Sequence, residues 1–169
     1  VTFASSSIRA SALTSRATLG GAVAVAAALF VISLTGLGWL FMPANAAGPS
    51  PEMTLSYTDL GEMVQSGAAP TTAFQQAYFS WLAWTTAIVT VIMATAAIML
   101  SGRAIAIATA VLSAVGLVFL IFGTKGPLSW AAYADQAGNI RMGAILMVVG
   151  YVVTICTAAV SAARRPTVS

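Results

Sequence analysis

The sequence predicts an all-α integral membrane protein: a bundle of four transmembrane helices, both termini in the cytoplasm, with short interfacial helices on the external side. Three observations predict it. Apolar residues make up 59% of the 169 residues and charged residues only 7%, against roughly 45–50% and about 25% in soluble domains. Four uninterrupted apolar stretches are each long enough, as helices, to cross a hydrocarbon core about 30 Å thick. The basic residues flank those stretches instead of interrupting them.

The spans are expected at about 20–42, 78–100, 104–122 and 142–163, and none contains Asp, Glu, Lys or Arg. Their apolar residues surround the helix axis instead of forming one stripe, the pattern of burial in lipid or among other helices. Helix is the expected state throughout, because an open strand leaves backbone groups unsatisfied in lipid. One membrane domain, 1–169, accounts for the chain.

Short flanking segments set the orientation. Arg9 and Arg16 precede the first span, Arg103 joins the second to the third, and Arg164 and Arg165 follow the fourth. That side has no acid. The other side carries Glu52, Asp59, Glu62 and Asp135 against Lys125 and Arg141. Positive charge retained inside places both ends in the cytoplasm. Arg9 and Arg16 before an apolar run, then Ala44-Asn45-Ala46, also resemble a cleavable secretory signal. The apolar run is longer than the usual 7–15 residues of a signal core, so the first helix is expected to be retained.

The external segments are 43–77 and 123–141. Pro43, Gly48, Pro49 and Pro51 make the first one extended or turn-rich at its start. Ser56-Tyr57-Thr58-Asp59 has the spacing to cap a short helix that Gly67 would close. Thr72-Ala73-Phe74-Gln75 has the same spacing, so the second span should begin above the membrane. Ser101-Gly102-Arg103 forces an antiparallel hairpin, with Gly102 expected as the left-handed cap. In the second external segment Ser129 would cap a short helix through Trp130 and Tyr133, with Gly138 as a stop.

Aromatic residues gather on the external side. Candidate partner contacts are Trp39, Phe74, Tyr78, Trp81, Trp84, Trp130 and Tyr133. Two readings stand: half of the usual aromatic belt, or a protein-contact surface, since aromatics are enriched in interface cores. Small residues recur at every fourth position, at Gly20, Ala24 and Ala28 in the first span and at Ala106, Ala110 and Ala114 in the third. Thr86, Thr90 and Ala94 share a face of the second. Such stripes let helices approach closely, and Thr and Ser hydroxyls can bond across them.

Composition also removes functions. The chain has no His and one Cys, Cys156. Histidine haem ligation, an internal disulfide and a Cys-rich metal site are excluded. Cys156 is expected as a small buried apolar residue. With no ionisable residue in a span, proton-coupled transport and voltage sensing lack their usual groups. No catalytic, cofactor-binding or metal-binding residue is assigned.

Four Ala/Val-rich spans, Arg-bearing cytoplasmic tails and an aromatic outer side beginning Phe74-Gln75-Gln76-Ala77-Tyr78-Phe79-Ser80-Trp81 carry a resemblance. The chain resembles the small accessory subunits of actinobacterial respiratory supercomplexes, which join cytochrome bcc to cytochrome c oxidase. The resemblance implies a bacterial plasma-membrane protein that aids assembly or stability of a larger complex. Cytochrome c oxidase subunits and lipids would be its partners, with no nucleic acid. Haem and copper would then belong to the partner subunits. Two other readings compete: a homo-oligomeric pore-former or transporter, and a membrane enzyme using Glu52, Asp59 and Glu62.

Overall fold

The computed structural model describes residues 3–44, 51–67 and 70–163, with side chains described from Arg16 onward. Four helices are long and apolar enough to cross a membrane, and the chain is a multi-pass membrane protein. They are α1 (Phe3–Thr35), α3 (Ala73–Leu100), α4 (Arg103–Lys125) and α6 (Met142–Ala163). Between α1 and α3 lie β1 (Gly38–Met42), β2 (Met53–Ser56) and helix α2 (Tyr57–Ser66). Between α4 and α6 lie helix α5 (Trp130–Asp135) and a 3-10 turn, Ala137–Asn139. The long helices form a ring in the order α1, α3, α4, α6, and α3 also meets α6 across the middle. The connecting segments cap one end. The other end, the tail end, holds Arg16 and the turn between α3 and α4, where Arg16 Nη2 donates to Ser101 Oγ at 3.0 Å.

The first span ends earlier than expected, at Thr35 instead of Met42. Gly36 and Gly38 weaken the helix where it leaves the bundle. The Trp39-Leu40-Phe41 run then pairs antiparallel with β2, with Leu40 opposite Leu55 and Met42 opposite Met53. The register shifts between Gly38 and Leu40. Such a bulge re-aims a side chain, here the Trp39 indole, which turns into the core. The outer edge of β1 is covered in turn: Leu40 bridges Ile140, and the Arg141 N–H donates to Trp39 O at 2.9 Å.

The capping pattern at Ser56 is realised in full. Ser56 Oγ accepts from the Asp59 N–H at 3.2 Å, the Ser56 N–H donates to Asp59 Oδ2 at 2.8 Å, and Gly67 closes α2 at φ 70°. Thr72 caps α3, its Oγ1 accepting from the Gln75 N–H at 3.1 Å. At 1.5 Å per residue the 28 residues of α3 reach about 42 Å. That exceeds the hydrocarbon thickness of about 30 Å. Ser129 caps α5 through the Ala132 N–H. At the tail-end turn the expectation is corrected. Ser101, not Gly102, takes the left-handed conformation (φ 50°), while Gly102 sits extended at φ −87° and starts α4. A Cβ at Gly102 would lie 3.3 Å from the end of the Ile105 side chain.

Packing inside the ring follows a rule the small-residue spacing did not show. Large rings sit directly on glycines of the neighbouring helix. Phe30 of α1 covers Gly150 of α6, Tyr151 of α6 covers Gly116 of α4, and Tyr78 of α3 covers Gly123 of α4. Trp39 covers Gly143 at the start of α6. Of the expected stripes, Thr86, Thr90 and Ala94 are buried together, but Gly20, Ala24, Ala28 and Ala114 are exposed and Ala110 is half-buried. The buried line of α4 runs instead through Ala106, Thr109, Ser113, Gly116, Leu120 and Gly123. Buried hydroxyls mostly serve their own helix: Thr109, Ser113, Thr154 and Thr157 each donate to the carbonyl four residues back at 2.8 Å. Two reach across helices. Ser33 Oγ donates to Gly143 O at 2.7 Å, and Thr86 Oγ1 pairs with the Tyr151 hydroxyl at 3.0 Å. Cys156 corrects another expectation, for it is exposed on the outer face of α6.

Candidate functional site

The aromatic residues of the cap divide into an inner cluster and an outer rim. Trp39 and Tyr78 belong to the core, at 2% and 0% exposure. Trp39 packs against Tyr57 at 5.3 Å and Phe79 at 6.1 Å between ring centroids, and its indole N–H donates to Ser33 O at 2.6 Å. These two candidate contacts therefore have no free surface for a partner. The first lies at the register shift between Gly38 and Leu40, with its indole buried. Tyr78 is drawn inward by Gly123, which leaves room for its ring.

The remaining five candidates stay at or near the surface. Trp81 and Trp130 are more than half exposed. Trp84 is half-buried beside α1, and Phe74 is half-buried against Phe119 at 5.4 Å and Phe122 at 6.5 Å. Tyr133 is half-buried, its hydroxyl paired with Thr124 Oγ1 at 2.8 Å. Lys125 Nζ lies 5.0 Å from the Trp130 ring centre, and the Arg141 guanidinium lies 4.5 Å from that of Phe41. Both cations thus rest on aromatic faces, which attract them through the ring quadrupole. The signals missed in the sequence are Tyr57, Phe79, Phe30 and Tyr151, which complete the inner cluster. Glycines at Gly116, Gly123, Gly143 and Gly150 could have pointed to them.

Tyr57 also ties the cap to the bundle. Its hydroxyl donates to Tyr78 O at 2.8 Å. That carbonyl opens a π turn, Tyr78–Leu82, and also accepts from the Ala83 N–H. Burial pushes the Tyr57 phenol well above its ordinary value. The Asp59 carboxyl is held below its ordinary value, first by the Ser56 backbone N–H and then by the Ser56 hydroxyl. Asp59 is thereby engaged as a helix cap, while Glu52 and Glu62 are exposed. Among the described residues no group of three or more His, Cys, Asp or Glu could hold a metal ion. Arg16 and Arg103 lie exposed at the tail end. Arg164, Arg165, the Arg9 side chain, and Asn45 and Ala46 of the signal-like motif lie outside the described residues.

No protein-family model, curated protein or solved structure matches this chain.

Three seams of the ring are closed by a ring seated on a glycine: α1 with α6, α6 with α4, and α4 with α3. The fourth, between α1 and α3, has no such closure among the described residues. Two shallow apolar pockets of about 190 and 290 Å³ run along it. Phe30 and Trp84 line the first and Gly20 and Ala24 the second, with Ala27 and Val91 shared by both. Nothing lies within 4 Å of where a Cβ would stand on Gly20 or Gly21.

Proposed function

We propose that this protein is a non-catalytic accessory subunit of a larger bacterial membrane complex, most concretely a respiratory oxidase supercomplex in the plasma membrane. The observation that carries the proposal is the open seam between α1 and α3. Lipid tails are as apolar as the helices, so helix association in a bilayer depends on close packing and small residues. The other three seams each hold a ring seated on a glycine. The fourth offers Gly20, Ala24 and Ala27 on one wall and Trp84 at its cap end. A transmembrane helix of a partner subunit fits it. Trp81, exposed on the same helix as Trp84, extends the contact toward the cap.

The Phe74–Trp81 segment supports the respiratory assignment through its resemblance to supercomplex accessory subunits. Haem and copper in such an assembly belong to the partner. Arg16 and Arg103 at one end, and acids at the other, support placing the tail end in the cytoplasm.

The test is purification in mild detergent through a C-terminal tag, followed by mass spectrometry and a visible spectrum. The expected result is a fixed-stoichiometry complex with a haem spectrum. Ala24→Trp, which blocks the seam from outside the core, should release the subunit while leaving it folded. Recovery of wild type only as a free monomer, or solute flux from the pure protein in liposomes, overturns the proposal.

A further inference from the structure

Helix α3 is α-helical above and below its π turn. In the turn, Tyr78–Leu82, the Ala83 N–H donates to Tyr78 O, five residues back. A π turn is rare, appears mostly as a single bulge inside an α-helix, and recurs at functional sites. Above it lies the short capped segment Ala73–Ala77. Below it α3 is seated in the ring through Ala83, Thr86, Thr90 and Ala94, all buried.

Buried polar atoms mark this register as costly. Among the described residues three buried side-chain oxygens lack a hydrogen-bond partner, and all are on α3: Gln75 Oε1, the Tyr78 hydroxyl and Thr90 Oγ1. The first two lie at or just above the π turn. An unpaired buried group carries its full desolvation cost and calls for an explanation. Closing the turn to α would remove its extra residue. With the lower part of α3 fixed in the ring, the segment above would rotate by about 100° and move by about 1.5 Å. Each residue would then take the place of the one before it, Gln75 that of Phe74 and Phe79 that of Tyr78. Both unpaired groups would leave their present positions.

One face of α2 opposes that closure. Tyr57, Gly61 and Gln65 stand four residues apart, on one side of the helix. They meet three consecutive residues of the turn. The Tyr57 hydroxyl donates to Tyr78 O at 2.8 Å. Gly61 lies against Phe79, where a Cβ would come within 3.2 Å of Phe79 O. Gln65 Nε2 lies 3.5 Å from Ser80 Oγ. The Tyr57 bond is the buried one. Closing the turn would carry the Tyr78 carbonyl away and leave that phenol unpaired as well.

We infer that α2 is a latch on α3. Its Tyr57–Gln65 face holds the π register, and lifting it lets the turn close to α and rotate the segment above. Trp81 lies inside the turn and is 56% exposed, so the latch also sets where that indole projects.

Phe74 reports the register from the α4 side, where it packs on Phe119 and Phe122. The full chain in micelles, with 4-fluorophenylalanine at position 74, is read by fluorine NMR. The expected result is a minor resonance in slow exchange that grows about fivefold in Tyr57→Phe, the worth of one hydrogen bond. Gly61→Val, which pushes α2 off the turn, should enlarge the same resonance. Cross-linking then identifies the minor state. In a Cys156→Ala background, a short bis-methanethiosulfonate should join the Phe74→Cys, Phe119→Cys pair. Adding Tyr57→Phe should raise the yield for the Gln75→Cys, Phe119→Cys pair. If Gly61→Val fails to fold, Tyr57→Phe decides alone. A Tyr57→Phe protein with an unchanged spectrum overturns the inference. So does a growing minor resonance without more 75–119 linkage, which would confine Tyr57 to packing within the cap. None of these outcomes bears on partner docking at the α1–α3 seam.

Discussion

Gly150→Ala adds one methyl group to the middle of α6 and should destabilise the bundle, whereas the same change at Gly21 should not. A Cβ at Gly150 would lie 2.6 Å from Phe30 Cε1 and 2.9 Å from Cδ1, about 1 Å inside ordinary carbon–carbon contact. Phe30 is 2% exposed and its ring lies 4.8 Å from that of Tyr151, so any relief must come from the shallow α1–α3 pocket that it also lines. Overpacking of this kind costs about 1–3 kcal/mol. Replacing a helical glycine by alanine returns up to about 1 kcal/mol of backbone entropy. With the full return, the net loss at Gly150 is then about 0–2 kcal/mol. At Gly21, with nothing within 4 Å, only the gain remains. Reversible unfolding in mixed detergent micelles, followed by circular dichroism, separates the two variants. Phe30→Leu makes room, so the double variant Phe30→Leu with Gly150→Ala should be more stable than the sum of the singles allows. Equal stability of Gly150→Ala and Gly21→Ala, or strict additivity of the double variant, would refute the seating of rings on glycines.

Other perturbations follow from the same geometry. Asp59 has a folded pKa below its ordinary 3.8, so its contribution is complete above that value and is lost as pH falls through the lower folded value. Amide exchange in α2, corrected for intrinsic rate, should therefore be flat near neutrality and rise in acid below the ordinary value; Asp59→Asn should erase the step, and an unchanged step refutes the capping role. Ser101→Gly relieves a left-handed non-glycine residue and should stabilise by about 0.5–1 kcal/mol, despite losing the exposed bond from Arg16; lower stability in the micelle assay contradicts this. Cys156 is exposed on α6, seven residues or about 10 Å from the tail-end terminus of that helix. A lipophilic maleimide should label it in membranes and a charged thiosulfonate should not; equal labelling by both would place this face in water.

The spans and caps were legible because they depend on local chemistry. Ser56 with Asp59, Thr72 with Gln75, and Ser129 with Ala132 each read correctly, since a cap involves residues three apart. The fourth span, Met142–Ala163, coincides with its expected limits. The end of the first did not, because hydropathy treats Trp39, Leu40 and Phe41 alike in helix and strand. What decides is a partner strand eleven to eighteen residues away, together with the α6 start that covers its edge. Trp39 and Tyr78 were misplaced for a related reason. Aromatic residues at a membrane boundary look the same whether they face lipid or a glycine on another helix. The left-handed residue at 101–102 was assigned by glycine preference alone, whereas Ser101 takes the left-handed turn and Gly102, extended, starts α4.

Glycine has two opposite uses in this ring, and the contrast bears on what the protein is for. At Gly116, Gly123 and Gly150 the missing Cβ is occupied by a ring of the same chain, so each glycine closes a seam. At Gly20 the missing Cβ leaves open space on the one seam where, among the described residues, no ring is seated on a glycine. A helix interior gains by replacing an idle glycine with alanine, so open glycines in a span carry a cost without an internal return. On the proposed accessory role, docking of a partner helix would supply the return, because close backbone approach is what small residues provide in lipid. The two uses predict opposite responses to bulk. Gly20→Leu should leave unfolding of the isolated subunit within about 0.5 kcal/mol of wild type, yet remove it from the purified complex. A Gly20→Leu subunit that remains in the complex would separate the open seam from partner docking, leaving those glycines without a role in assembly.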